Sequence, residues 1–344
     1  YDKKMRRPVA LKLASTSASE REAQARFLRE AQVTGQLTHP NVMPVYDIGT
    51  DLDGHVFFTM KQVQGRSLRQ LLRAGKAGSL VERLLVFRQI CNALAFAHSR
   101  GVLHRDLKPA NVMVGEFGEV LVVDWGLCKV LGETLEDYTV DDAEPTGGSL
   151  ETQQGDVAGT PAYMSPEQAQ GEIDALDPRT DVYSLGAVLY TLLTDKSPFK
   201  GKTVDVIGAV SAGRFVPPMK RAPGQVPREM NGIVMKAMAL NKEDRYRTVA
   251  DLSADVQAFI EGRPVGAVSY SPLQRLSKWA ARNRSVVRPV AFTAAFAFVL
   301  LVSGGLVHVN RLGAARDAAV LDAVRAAQAE RVAQIEAVNG RAAV

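Results

Sequence analysis

Eight consecutive residues, His104-Arg105-Asp106-Leu107-Lys108-Pro109-Ala110-Asn111, set a carboxylate, an ammonium and a carboxamide at fixed offsets on one short loop. Together these groups suit the transfer of a phosphoryl group to a hydroxyl. Asp106 can orient the incoming alcohol and accept its proton, Lys108 can neutralise charge on the transferring phosphate, and Asn111 can hold a metal ion. An ordinary polar loop has no need of this set in this order.

Such a loop needs particular elements around it. A second metal-binding carboxylate should follow a short apolar hairpin, and Asp124-Trp125-Gly126 follows the apolar run from Glu119 to Val123. A strand lysine should reach the nucleotide phosphates. Pro8-Val9-Ala10-Leu11-Lys12 supplies it, with apolar residues alternating as a half-buried strand requires. A helical glutamate should pair with that lysine. The segment from Ser19 to Gln36 reads as a charged amphipathic helix on which Glu30 is the best candidate, Glu20 and Glu22 being the alternatives. Further on, Arg83 to Arg100 has the periodicity of a long buried helix ending beside the loop. Asp251 to Glu261 reads as a helix stopped by Gly262-Arg263-Pro264.

Over roughly residues 1 to 262 the chain resembles the eukaryotic-type (Hanks-type) protein kinases, closest to bacterial membrane-anchored serine/threonine kinases, with the motifs in the family's order and approximate spacing. The resemblance implies an α+β, two-lobed fold, with a small β-rich lobe over 1–61 and a larger helical lobe over 66–262, working on ATP with Mg²⁺. Carried over by position, Lys12 contacts the α and β phosphates and Glu30 holds Lys12. Asp106 is the catalytic base or orienting group, while Asn111 and Asp124 bind Mg²⁺. Trp125 stands where the family usually has phenylalanine and is expected to pack the same way. The segment Gly159-Thr160-Pro161-Ala162-Tyr163-Met164-Ser165-Pro166-Glu167 resembles the end of an activation segment, with Ser-Pro-Glu in place of the usual Ala-Pro-Glu. Glu167 is expected to pair with Arg245, and Asp181 to cap the catalytic loop from a central helix. Lys108 together with Thr160 matches the serine/threonine-directed pattern.

In the nucleotide pocket, Val56 to Met60 reads as a strand leading into a connector, Lys61 to Gly65. The resemblance makes Met60 the gatekeeper, gives the Lys61 carbonyl and the Val63 amide to the adenine edge, and sandwiches the ring between Ala10 and Met113. One expected part is missing. Only eleven residues precede Lys12, and no Gly-x-Gly-x-x-Gly occurs among them. Either the chain lacks its first two strands or it has lost its phosphate clamp; a first residue that is not Met favours the former. The stretch from Glu133 to Asp156 is rich in Asp, Glu, Gly, Ser and Thr and reads as a mobile loop. Thr134, Thr139, Thr146, Ser149 and Thr152 are candidate phosphate acceptors there, and Arg105 is the candidate partner for such a phosphate.

The run Val290 to Val309 is apolar apart from Thr293, Ser303 and His308. Its length matches the ~20 residues that cross a bilayer as a helix. The linker before it, Val265 to Arg288, carries Arg275, Lys278, Arg282, Arg284 and Arg288 and no acid. The positive-inside rule then places the catalytic part in the cytoplasm, at the cell (inner) membrane. Six Lys or Arg between Arg263 and Arg288 exceed the chain's net charge of +5, so the remainder is near neutral. The basicity is a feature of the membrane surface, and no nucleic-acid partner is expected. After the membrane, Arg311 to Val344 reads as a helix leading into a further domain, with a coiled coil for homodimerisation as the alternative. Cys91 and Cys128 predict neither a disulfide nor a metal site. The leading function is a membrane-anchored kinase of serine and threonine on cytoplasmic proteins, itself included. A membrane-tethered pseudokinase scaffold is the alternative, and the complete segment from Gly159 to Glu167 argues against a small-molecule kinase.

Overall fold

A computed structural model describes residues 1–14, 20–52, 54–131 and 161–341 (for 20–23, 26 and 334–341, the backbone alone). The chain divides into two compact units, Tyr1–Ser271 and Pro272–Val344. In the first, β1 (Val9–Leu13), β2 (Val45–Thr50) and β3 (Val56–Lys61) form an antiparallel sheet in the order β1-β3-β2. Helix α1 (Glu20–Gln36) is held to this sheet by a small apolar cluster of Phe27, Ala31 and Phe58, with the Phe27 and Phe58 rings 4.9 Å apart. Glu30 lies between the helix positions that make this contact, so the same packing aims it at the sheet.

The larger part of this unit is helical. Strand β4 (Gly65–Ser67) runs into α2 (Leu68–Arg73), whose N-terminus is closed by a Ser67–Gln70 capping box. Helix α3 spans Leu80–Ser99 and begins three residues before the expected Arg83, because Ser79 and Glu82 form a second capping box. Its Leu84, Phe87, Ile90, Leu94 and Ala97 are fully buried, and burying a large apolar side chain contributes roughly 1.5–3 kcal/mol. The short strand β5 (Val102–Leu103) leads into the catalytic loop. The hairpin expected before Asp124 is present as β6 (Val112–Gly115) and β7 (Val120–Val122), paired Val112↔Val122. Strand β8 (Lys129–Val130) pairs back onto β5.

After α4 (Pro166–Ala169) comes α5 (Pro178–Thr194), capped by Asp177 and buried over nearly its whole length. A helix buried on every face is a core helix, and α5 carries the rest of the lobe. Gly186 permits this: a Cβ there would lie 2.7 Å from Met238 and 2.8 Å from Ala237. Around α5 stand α6 (Thr203–Ser211), α7 (Pro218–Arg221), α8 (Arg228–Ala237) and α9 (Val249–Ile260). The chain beyond α9 stays attached to it. Val265 is buried, and the amides of Gly266 and Ala267 donate to the Asp255 carboxylate at 2.7 and 3.0 Å, which also accepts from the Tyr246 hydroxyl at 2.7 Å.

The second unit is α10 (Pro272–Arg282) and α11 (Arg284–Arg341). The stretch Arg284–Ala333 of α11 is long and apolar enough to cross a membrane, with a mean hydropathy of 2.3 over its most apolar window, and none of that window is buried.

Candidate active site

Burial is what fixes the catalytic loop. Asp181 on α5 is wholly inaccessible and accepts three hydrogen bonds: from the amides of His104 and Arg105, each at 2.9 Å, and from His98 Nε2 at 2.7 Å. Burial alone would raise its pKa; the hydrogen bond and charge of His98, helped by His104, outweigh that and hold it below the ordinary carboxylate value. These bonds hold Arg105 at φ 66°, a left-handed conformation that costs a non-glycine residue about 1–3 kcal/mol. The loop therefore turns where its sequence alone would not. Past the turn, Lys108 Nζ donates to Asp106 Oδ2 at 2.7 Å, and Asn111 Nδ2 donates to the Asp106 carbonyl and Oδ2 at 2.9 and 3.2 Å. Both side-chain contacts fall on Oδ2, and among the described residues none falls on Oδ1. One carboxylate oxygen is thus left open.

Across the cleft, Lys12 Nζ lies 2.5 Å from Glu30 Oε1 and 3.3 Å from Asp124 Oδ1. Burial works against the charge of Lys12, but its two carboxylate partners outweigh it and raise its pKa. Glu30 is almost completely buried, and Gly126 leaves it room: a Cβ at 126 would meet Glu30 Oε2 at 2.9 Å. Asp124, like Arg105, is left-handed, at φ 65°. The hairpin brings Asp124 to Asn111, since the Val123 amide donates to the Asn111 carbonyl at 2.9 Å. With the Asn111 amide nitrogen engaged by Asp106, its oxygen is left for a hard cation, beside the half-exposed Asp124 carboxylate. Two hard oxygen donors fit Mg²⁺, which keeps waters and takes further ligands from phosphates.

A family model described as the protein kinase domain matches residues 1–262. The chain belongs to the protein kinase domain family. It is 39% identical over 280 residues to a serine/threonine-protein kinase PknD of Protochlamydia amoebophila, covering 76% of this chain and 28% of that protein. It is 36% identical over 282 residues to the PknD of Chlamydia abortus, covering 77% and 29%. A probable serine/threonine-protein kinase of Streptomyces coelicolor is 37% identical over 278 residues, covering 78% and 38%. The chain thus spans less than a third of the length of the first two relatives. Its fold is the two-lobed α+β kinase fold, a small lobe around one sheet and a large helical lobe.

The remaining candidates can be placed on this kinase domain. Glu167 and Arg245 form a buried bidentate pair, both distances 2.9 Å; Arg245 also donates to the carbonyls of Ala239, Leu240 and Arg179, and Thr180 donates to Glu167 at 2.9 Å. Burial raises the Glu167 pKa, but the hydrogen bond and charge of Arg245 outweigh it, and the net shift is downward. Trp125 is fully buried with its ring 4.6 Å from that of His104, and its Nε1 has no protein acceptor among the described residues. Ala10 lies opposite Met60 in the β1–β3 register, and Lys61 ends β3. Met113 is half-buried on β6, and Val63 is half-buried in the connector before β4. Of the alternatives to Glu30, the side chains of Glu20 and Glu22 lie outside the described residues, as do Thr160 and the loop acceptors from Thr134 to Thr152.

Two contributors are absent from the sequence reading. His98 closes the third bond to Asp181, and Gln168 donates to the Arg105 carbonyl at 2.7 Å, tying the Ser165-Pro-Glu segment to the catalytic loop. A polar side chain closing the apolar run Ala93 to Ala97, just ahead of the catalytic motif, is the available signal for His98. Gln168 carries none beyond its place as the third residue of the Ser165 capping box.

Proposed function

We propose that this chain is the catalytic and membrane-anchoring part of a kinase that phosphorylates serine and threonine in proteins, using ATP and Mg²⁺. The observation that carries the reading is the convergence of two charged sets on one cleft. Glu30, Lys12 and Asp124 form one, and Lys108, Asp106 and Asn111 form the other, with the Val123–Asn111 hydrogen bond joining them. Lys12, fixed by Glu30, orients the nucleotide's phosphates. Asp106 presents its open oxygen to the acceptor hydroxyl and takes its proton, and Lys108 offsets charge on the group in transit. Asn111 and Asp124 would hold Mg²⁺, and the bound MgATP supplies the phosphoryl group. Arg105 adds a regulatory element: its Nε is buried with no protein acceptor among the described residues, an arrangement suited to a phosphate on the 133–156 stretch. Autophosphorylation there is part of the proposal.

The membrane reading rests on α11 and is strengthened by α10. At about 100° per residue, Leu273, Leu276, Trp279 and Ala280 share one face of α10, and Arg275, Lys278 and Arg282 fall on the other. Leu273, Leu276 and Trp279 are exposed. From Gly262 to Arg316 there is no acidic residue. An amphipathic basic helix preceding an apolar span suits the anionic cytoplasmic surface of a bilayer.

The test uses full-length protein expressed in bacteria. Asp106→Asn is expected to abolish phosphate transfer to Ser and Thr while the protein stays in the alkali-resistant membrane fraction. Retained transfer would falsify the mechanism, and release by alkali would remove the anchor.

A further inference from the structure

Beside the catalytic loop opens a cavity of about 630 Å³, large enough for a few side chains. Its walls carry Arg69 and Arg73 from α2, Lys108 from the catalytic loop, and Lys196 and Lys200 from the turn after α5. One acid, Asp195, also lines it, but its carboxylate is engaged by Arg83 at 2.8 Å. Lys108 is likewise engaged with Asp106. The exposed Arg69, Arg73, Lys196 and Lys200 make no ion pair among the described residues, so the cavity carries four cations that nothing described there neutralises. The two arginines stand one helical turn apart and act together on Tyr163, whose phenol is pushed up chiefly by burial and pulled back by a hydrogen bond to Thr191 and by both guanidinium charges.

Two features say what belongs there. The cavity opens at Lys108, two residues beyond the carboxylate that receives the acceptor hydroxyl, so a chain presenting that hydroxyl runs past the cations. The four cations come from two separate elements, α2 and the turn after α5, so a flanking segment would meet positive charge from two sides, and guanidinium pairs carboxylate bidentately. We propose that this cavity selects the substrate: it receives Asp or Glu side chains within a few residues of the acceptor Ser or Thr, making the kinase specific for acidic sequences. The inference rests on the phosphotransfer reading above and names its substrate class.

The test pairs synthetic peptides that share a central Thr and differ only in flanking Glu, Ala or Lys. Both transfer and equilibrium binding are measured on the full chain in detergent, binding by anisotropy of the labelled peptides. Exposed charge pairs multiply affinity by about 1.4- to 5-fold each. The Glu peptide should therefore exceed the Lys peptide by about tenfold or more in both affinity and kcat/KM, with the gap narrowing as salt is added. The double variant R69E/R73E should erase or invert that order, a change of rank among the peptides that a folding defect would not give. Equal binding of Glu and Lys peptides would overturn the proposal, whatever the activity. Binding that appears only after the acidic residues of 133–156 are changed to Asn and Gln would assign the cavity to the chain's own segment and overturn it too. Selective binding without any transfer would leave the cavity standing and count against the phosphotransfer reading alone.

Discussion

The two walls of the cleft are held in different ways. Below, the catalytic loop hangs on Asp181, a carboxylate with no exposure and three donors, two of them backbone amides. Above, Lys12 is held by Glu30 and Asp124 through side-chain charge alone, and the Lys12 and Asp124 side chains are 36% and 45% exposed. Backbone hydrogen bonds to a buried anion leave a loop one conformation. Partly solvated charge pairs can be exchanged for water, or for a phosphate, at little cost. The lower wall of the site is thus rigid, while the upper wall can re-form around what it binds.

Removing the lower anchor should have the largest effect. Asp181→Ala leaves His98 and two loop amides without their acceptor and removes what holds Arg105 left-handed. A loss of about 3–5 kcal/mol is expected in chemical unfolding of the chain in detergent, with phosphotransfer abolished. A loss under about 1 kcal/mol would mean that the loop is held by something else.

Acid should produce the next largest effect, and on the same wall. The Asp181 and Glu167 pKa values both lie below their ordinary values in the folded chain, so each contributes stability that is complete above the unfolded pKa and is lost as pH falls through the folded one. Stability should therefore be flat near neutrality and decline below about pH 4. An unfolding series against pH checks this, and Asp181→Ala should show a shallower decline. An unchanged slope in that variant would assign the acid sensitivity to other carboxylates.

The smallest stability effect belongs to the upper wall. Glu30→Gln should shift unfolding by no more than about 1 kcal/mol, because its partner is partly solvated. Phosphotransfer should nevertheless fall by about tenfold to a hundredfold, since Lys12 loses its fixed position. A stability loss as large as that of Asp181→Ala would erase the distinction between the two walls.

Local patterns carried most of what could be read in advance. The catalytic motif, the hairpin before Asp124, the strand of Lys12 and the long apolar stretch of α11 each depend on neighbours in sequence, and each is legible there. What escaped depends on distance or on backbone shape. His98 lies 83 residues from Asp181 and Gln168 lies 63 from Arg105, and no periodicity links them. The left-handed turns at Arg105 and Asp124 are equally silent, since neither residue is a glycine; the fold imposes them. The early start of α3 was open to view in Ser79 and Glu82, a capping box three residues ahead of the apolar stripe. The basic cavity has no local signature, because Arg69, Arg73, Lys196 and Lys200 belong to segments that look like ordinary solvated surface until the fold gathers them.

The carboxylate of Asp255 has a mechanical consequence. It grips the amides of Gly266 and Ala267 while Val265 sits buried beside them, so the polypeptide leaving α9 is clamped a few residues downstream of that helix. Tension applied from the C-terminal direction reaches this clamp before it reaches the last turn of α9. The Arg228 bond to the Ser269 carbonyl, the two charge-assisted hydrogen bonds at Asp255 and the buried Val265 must give way first. Traction on the tail is therefore borne at Arg228 and at Asp255 in the middle of α9, and the last turn of α9 is loaded only after these contacts fail.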